Sequence, residues 1–293
     1  MTIHEAQQQL LFQLYHIYDD REAQSIADWV MEHITEWKKI DRILNKKVPL
    51  SVAQQGELEI MTQQLLQHKP IHYILHQAWF QGMKLYVDEN VLIPRPETEE
   101  LVEWAMKELE VGGWKLEVGD SIKVLDVGTG SGCIPIAIKK KISRAQVYAC
   151  DISEGALQVA ARNAKEQGVD INLVQVDFLN AASRGLLPVF DCIISNPPYI
   201  SEQEKSSIDK HVVKYEPHTA LFVPDNNALV FYEHLAQFGH THLQPYGFMM
   251  MEIHYLQGET VQKLFESEGY TTELKKDMQG NDRMINVVPA ATR

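Results

Sequence analysis

Cysteine is scarce: the chain of 293 residues has three, Cys133, Cys150 and Cys192. The number is odd, no Cys-x-x-Cys pair occurs, and each lies inside an apolar strand or helix pattern. Such usage argues against a disulfide framework and for buried free thiols in a reducing compartment. Long apolar runs are missing too. Without eighteen consecutive apolar residues no membrane span is expected, and Met1-Thr2-Ile3-His4-Glu5 lacks the basic-then-apolar layout of a signal peptide. Positive charge is in short supply: 27 Lys and Arg face 40 Asp and Glu, a net charge of −13. Tight sequence-independent binding of nucleic acid needs Lys and Arg to neutralise phosphates, so this balance counts against it while leaving room for a basic protein partner. No repeat or low-complexity tract is present, and no metal site is assigned. A cytoplasmic protein is expected, with 45% hydrophobic residues supplying an ample core.

What is there divides into three parts. Residues 1 to about 75 carry apolar residues at helical spacing: Leu10, Leu14 and Ile17; Ile26, Trp29 or Val30, His33 and Trp37; then Leu58, Met61, Leu65 and Leu66 behind Ser51 as N-cap. His33, on that apolar stripe, reads as a packed core histidine. A short hairpin follows, Ala78-Trp79-Phe80 and Met83 to Val87 about a Gln81-Gly82 turn. Pro94-Arg95-Pro96 then holds Arg95 extended, a linker feature on its own terms, and Pro96 can start a helix. From Ile122 strands and helices alternate, the pattern of a parallel α/β sheet. Strands are expected at 122–127, 147–150, 171–176, 190–194 and 246–253, and two more at 270–275 and 283–288. The stretch from Ser201 to about Asp225 reads as polar and irregular and could cover a site.

The polar residues gather at the carboxyl ends of these strands, the edge where open α/β sheets bind ligands. Asp126-Val127-Gly128-Thr129-Gly130-Ser131-Gly132 ends the first, Asp151 the second, Asp177-Phe178 the third. A glycine turn with a later acid is weak evidence alone, because nicotinamide enzymes share it. Here the six-position dinucleotide fingerprint is absent, and an acid just before the glycines suits an ammonium rather than a pyrophosphate. Asp126, Asp151 and Phe178 thus form a row fit for an amino acid, a ribose and an adenine, the shape of S-adenosylmethionine. The fourth strand delivers Ser195-Asn196-Pro197-Pro198-Tyr199. Two prolines stiffen the loop and donate no N–H, so Asn196 Oδ1 and a proline carbonyl can accept both hydrogens of a planar –NH2 group while Tyr199 packs on its face. A merely rigid turn is the alternative for this motif in isolation.

Taken together, Leu92-Ile93-Pro94-Arg95-Pro96-Glu97-Thr98-Glu99, the Asp126 to Gly132 turn, Ser195 to Ile200 and Gly280-Asn281-Asp282-Arg283 resemble the peptide chain release factor N(5)-glutamine methyltransferases over essentially the whole chain. The resemblance implies an α/β fold: a Rossmann-like S-adenosylmethionine-dependent methyltransferase sheet of seven strands, the last antiparallel, with a small N-terminal helical bundle. It implies a substrate-recognition domain at 1–77, a hairpin linker at 78–95 and a methyltransferase domain at 96–293. The methyl donor would be S-adenosylmethionine and the acceptor the glutamine of a Gly-Gly-Gln motif in a release factor. Gly128, Thr129, Gly130, Ser131, Gly132, Asp151 and Phe178 would contact the cofactor, with Asn196 near it. Asn196, Pro197, Pro198 and Tyr199 would form the glutamine pocket, with Asn196, Pro197 and Tyr199 in catalysis. His76, His254 and Pro224 to Asn227 stand where the family is usually richer in glycine. Asn-Pro-Pro-Tyr alone would equally fit an adenine-N6 methyltransferase on DNA or RNA; Pro-Arg-Pro-Glu-Thr-Glu narrows the choice.

Overall fold

The structure, a computed structural model, describes residues 1–111 and 121–290. Two compact units result, Met1–Gln77 and Ala78–Arg293. The expected domain end at residue 293 lies outside the described residues.

The first unit is helical: α1 (Ile3–Leu14), α2 (Asp20–Thr35), α3 (Lys39–Leu44), α4 (Val52–Leu66) and α5 (Ile71–Leu75). Local sequence starts each long helix. Thr2 with Glu5 and Ser51 with Gln54 form capping boxes, and Asp19 accepts from the first N–H groups of α2. Leu10, Leu14, Val30, Met31 and Leu65 close the core. Val30 takes the buried position and Trp29 stays exposed. His33 is not a core residue: its side chain is 41% exposed and its ring nitrogen lies 3.3 Å from the Glu57 carboxylate. Its place at the margin of the stripe, one turn past Val30, puts it at the water boundary. Periodicity missed α3, whose Ile40, Ile43 and Leu44 are all exposed and so leave no buried stripe to read. At the end of α5 His76 adopts φ +50°, a left-handed cap conformation in which glycine is the easiest residue.

The second unit starts with the hairpin β1 (Ala78–Phe80) and β2 (Met83–Leu85), whose turn residues Gln81 and Gly82 both have positive φ, as a type I′ turn requires. The hairpin belongs to this compact unit. Then come α6 (Pro96–Val111), β3 (Lys123–Val127), α7 (Cys133–Lys141), β4 (Gln146–Asp151), α8 (Glu154–Gln167), β5 (Asn172–Gln175), α9 (Ala181–Arg184) and β6 (Phe190–Ser195). After β6 the chain is ordered into small elements, a correction to the irregular stretch expected there. They are β7 (Ile200–Ser201), a 3-10 turn over Glu202–Ser207, α10 (Lys210–Tyr215), α11 (His218–Leu221) and β8 (Phe222–Val223). These are too short to show a period. The rest is α12 (Val230–His242), β9 (Leu243–Glu252), α13 (Gly258–Ser267), β10 (Tyr270–Lys276) and β11 (Asp282–Pro289).

Seven strands form one sheet in the order β10-β11-β9-β6-β3-β4-β5. β11, the last, turns back from β10 and runs antiparallel to both its neighbours; the pairings among β9, β6, β3, β4 and β5 are parallel. Apolar residues pack both faces, Val124, Cys192 and Ile194 on one and Leu125, Ile193 and Met249 on the other. All three cysteines are free and buried. The chain runs outward from β3 to β5 and then returns to place β6 on the other side of β3. That reversal is the switch point where a crevice opens beyond the carboxyl ends. No helix of the described residues is long and apolar enough to cross a membrane.

Candidate active site

Pairing of Val127 with Ser195 brings the glycine turn and the Asn-Pro-Pro loop to the same point of the sheet edge, although they lie far apart in sequence. The Ser195 hydroxyl donates to the Val127 carbonyl at 2.8 Å and ties the two strand ends together. Above them is a cavity of about 290 Å³, lined from β3 by Val127, Gly128 and Gly130, from β4 by Cys150, Asp151, Ile152 and Ser153, and after β5 by Val176 to Leu179. Ser195, Asn196, Pro197 and Pro198 line it from β6. Asn90 to Leu92 and a cover of Pro217, Thr219, Ala220, Phe222 and Pro224 complete the wall.

The glycine turn folds as it does because the N–H groups of Gly128 and Thr129 both donate to the Cys150 carbonyl, at 2.9 and 3.0 Å. Gly128 and Gly130 have φ of +75° and +52°, and a Cβ on either would meet open space. Backbone conformation, and room for a ligand, are what glycine secures there. Gly132 differs: a Cβ would approach that of Ala160 to 3.0 Å, so it is small to let α7 and α8 pack. Thr129, Ser131 and Gly132 do not line the cavity. Asp151 does, and its carboxylate accepts from Gly130 N–H and Ser153 N–H, both at 2.9 Å. Burial raises its pKa, with those two N–H groups pulling the other way. Asp126 is buried completely and lies behind the cavity lining; neither carboxylate oxygen makes a hydrogen bond of good geometry among the described residues, the neighbouring Thr129 hydroxyl being its nearest polar company. Burial pushes its pKa up to about 7, with the Thr129 hydroxyl pulling the other way and Asp151 adding repulsion. An orphaned buried carboxylate beside a glycine cradle is what a cationic amino group would satisfy. Phe178 offers its ring to the cavity, held edge-on by Phe238 at 5.2 Å between centroids, while its carbonyl accepts from Arg184 at 2.7 Å.

On the β6 side Asn196 donates through Nδ2 to Thr98 Oγ1 at 3.0 Å. Thr98, in the first turn of α6, donates to Glu252 Oε2 at 2.7 Å, and Tyr199 donates to Glu252 Oε1 at 3.1 Å. Glu252 ends β9 and is buried, which raises its pKa against the two hydroxyl bonds. Tyr199 is thus tied to the sheet by its hydroxyl and is not among the residues lining the cavity, unlike the substrate-facing ring expected for it. Its ring meets that of His254 edge-on at 5.9 Å, and the His254 imidazole in turn lies 3.3 Å from Glu204. Arg95 is more than a linker residue: its guanidinium lies 2.6 Å from Glu216 Oε1, and Glu216 Oε2 accepts from Ile93 N–H at 3.3 Å. This pair joins the Pro-Arg-Pro segment to the cover. Thr98, Glu216 and Glu252 escaped the sequence reading as site residues. Thr98 stood within a motif whose chemistry was unassigned; Glu216 and Glu252 gave no signal beyond being acids beside Pro217 and an apolar strand.

The methyltransferase small domain model matches residues 114–221 and the PrmC N-terminal domain model residues 5–75. The chain is 42% identical over 289 residues to the release factor glutamine methyltransferase of Flavobacterium psychrophilum, covering 98% of this chain and 99% of that one. It is 42% identical over 261 residues to the enzyme of the same name from Lactococcus lactis, covering 86% and 91%. Among solved structures, a methyltransferase from Pyrococcus furiosus superposes with a TM-score of 0.50 at 16% identity, covering 82% of this chain and all of that one. The hMettl16 catalytic domain in complex with the MAT2A 3′UTR hairpin 6 gives 0.55 at 14% identity, covering 84% and 85%. At these identities the likeness is one of fold.

Proposed function

This chain belongs to the release factor glutamine methyltransferase family, and from that premise we propose that it transfers a methyl group from S-adenosylmethionine to the side-chain amide nitrogen of the glutamine in a release factor's Gly-Gly-Gln motif. One observation carries the reading: Asn196 lines the cavity beside Pro197 and Pro198, with Nδ2 committed to Thr98 and Oδ1 left to accept.

The residues fit the donor. Gly128 and Gly130 leave open space, the unpaired Asp126 carboxylate just behind them suits a cation, Asp151 retains lone pairs for ribose hydroxyls, and Phe178 can flank an adenine. When bound, S-adenosylmethionine supplies an electrophilic methyl group on a sulfonium. The chain's own residues supply the rest. An amide nitrogen is a poor nucleophile because its lone pair is delocalised into the carbonyl. Asn196 Oδ1 and the Pro197 carbonyl, accepting its two hydrogens, raise electron density on it and orient it; Pro198 narrows the slot, and Tyr199 anchors the loop through Glu252. Preorganised acceptors in a water-poor cavity are worth more than the same groups in water. Residues 1–77 recognise the protein around the glutamine, because one small side chain offers too little surface for specificity. Nucleic acid is not the substrate; the acidic balance opposes it. The enzyme works in the cytoplasm, where its free buried thiols stay reduced.

The test is incubation with labelled S-adenosylmethionine and an intact release factor, the methyl group then mapped by mass spectrometry. Label on the glutamine side chain is the expected result. Label on adenine of a DNA or RNA oligonucleotide, with none on the factor, would overturn it.

A further inference from the structure

A glutamine amide presents hydrogens to the cavity, so Asn196 must show it an oxygen, yet an asparagine side chain can be turned either way. The partners behind it decide. Glu252 is 2% exposed and takes two hydroxyl protons, from Thr98 at 2.7 Å and Tyr199 at 3.1 Å. An ionised carboxylate only accepts, and the Thr98 and Tyr199 hydroxyls together with Arg283 favour that charged form of Glu252 against the burial that raises its pKa. Thr98 has a single proton, and a bond to a charged acceptor is worth more than one to a neutral amide. It therefore commits that proton to Glu252 and meets Asn196 with a lone pair, which only Nδ2 can satisfy, at 3.0 Å. Among the described residues Thr98 is the side chain that bonds Asn196, and Arg283, the nearby cation, is hydrogen-bonded to Asp277 at 3.2 Å.

We propose that Thr98 and Glu252 are positioning residues that set the hydrogen-bond polarity of the acceptor site: the buried carboxylate, acting through the threonine hydroxyl, holds Asn196 with Oδ1 toward the cavity and so selects a side chain ending in –NH2 over one ending in a carboxylate. The inference rests on the functional reading above and names how that site tells glutamine from glutamate. It also gives the Pro-Arg-Pro-Glu-Thr-Glu segment a chemical task, since Pro96 starts the helix whose first turn carries Thr98.

Glu252→Gln conserves size but can offer an N–H to Thr98. The chain of bonds then reverses: Thr98 donates to Asn196 Oδ1, and Nδ2 faces the cavity. With the full-length protein and an intact release factor, kcat should fall roughly 30-fold or more, short of the roughly 100-fold loss expected when a preorganised group is removed outright, because Asn196 stays in place and is only turned. Affinity for S-adenosylhomocysteine, by calorimetry, should stay within about twofold, the site at β3 and β4 being untouched. Thr98→Val should lose turnover similarly, whereas Thr98→Ser, which keeps the hydroxyl, should remain within about threefold of wild type. A release factor carrying glutamate in place of the methylated glutamine should bind Glu252→Gln more tightly than wild type, an inversion that simple loss of packing would not produce. Near-wild-type turnover by Glu252→Gln, equal losses in Thr98→Ser and Thr98→Val, or no preference for the glutamate factor would each overturn the inference. Should Glu252→Gln not fold, the serine–valine pair at Thr98 decides alone. A wild-type enzyme that leaves the glutamine unmethylated would instead sink the functional reading itself.

Discussion

Behind the two sides of the cavity, buried polar groups are treated in opposite ways. At β3 the Asp126 carboxylate is left without a partner, and burial holds its pKa near 7. At β6 the Asn196, Thr98, Glu252 and Tyr199 groups satisfy one another before any substrate arrives. An unpaired buried acid destabilises the empty protein, and a cationic ligand recovers that cost on binding. A satisfied network costs nothing to reorganise when the reaction begins. The β3 side is therefore built for affinity and the β6 side for orientation, and substitutions should separate the two.

The largest effect is expected on the β6 side. Asn196→Ala should reduce methylation by roughly 100-fold or more, as loss of one preorganised group does, while leaving cofactor affinity within a few-fold. Single-turnover rates beside a calorimetric titration would show the contrast; equal losses in both quantities would erase it.

On the β3 side the signature is pH. Asp126 has a pKa raised in the folded protein, so between the ordinary carboxylate range and about 7 the native state holds a proton that the unfolded chain has released. Its contribution to stability is full at low pH and is lost as pH rises through about 7. Chemical denaturation of the ligand-free protein at pH 5 and 8.5 should show a fall attributable to this group on the order of a few kcal/mol. Asp126→Asn should flatten that slope. Cofactor affinity should move the other way, strengthening as pH rises and the carboxylate forms to meet the ammonium. A variant with an unchanged slope would remove Asp126 from this role.

Asp151→Ala should weaken cofactor binding by about 1.5–3 kcal/mol, the worth of hydrogen bonds to a charged group. Calorimetry on the folded variant checks it, and unchanged affinity would assign the ribose elsewhere. The smallest effect belongs to Gly130→Ala. A Cβ there meets no atom, but φ of +52° strains any L side chain, at about 1 kcal/mol. A thermal melt should drop slightly, with cofactor affinity falling further because the open space is where the ligand approaches.

Much of the fold was legible. Strands ending at Val127, Asp151 and Ser195, the Ser51 cap and the Gln81-Gly82 turn are all local signals, written in a few neighbouring residues. Legibility failed where the signal was short or lay at a boundary. The small elements from Ile200 to Val223 never complete a period, α3 buries no stripe, and His33 stands at a margin that spacing alone cannot tell from the core.

The site divides on the same line. Its chemistry could be read from the chain because glycine, proline and asparagine at set spacings impose their conformations and hydrogen-bonding groups on the backbone around them. Which way that chemistry faces could not. Thr98 and Glu252 are 154 positions apart and meet because the register of β9 on β6, pairing Ser195 with Met251, carries Glu252 to the end of the sheet where α6 begins. A one-residue slip in that register would turn the carboxylate to the other face, and Asn196 would lose the arrangement that orients it. Sequence determined which groups are present at the crevice; strand register decided which of them donate and which accept, because a hydrogen bond depends on a few tenths of an ångström that only packing supplies.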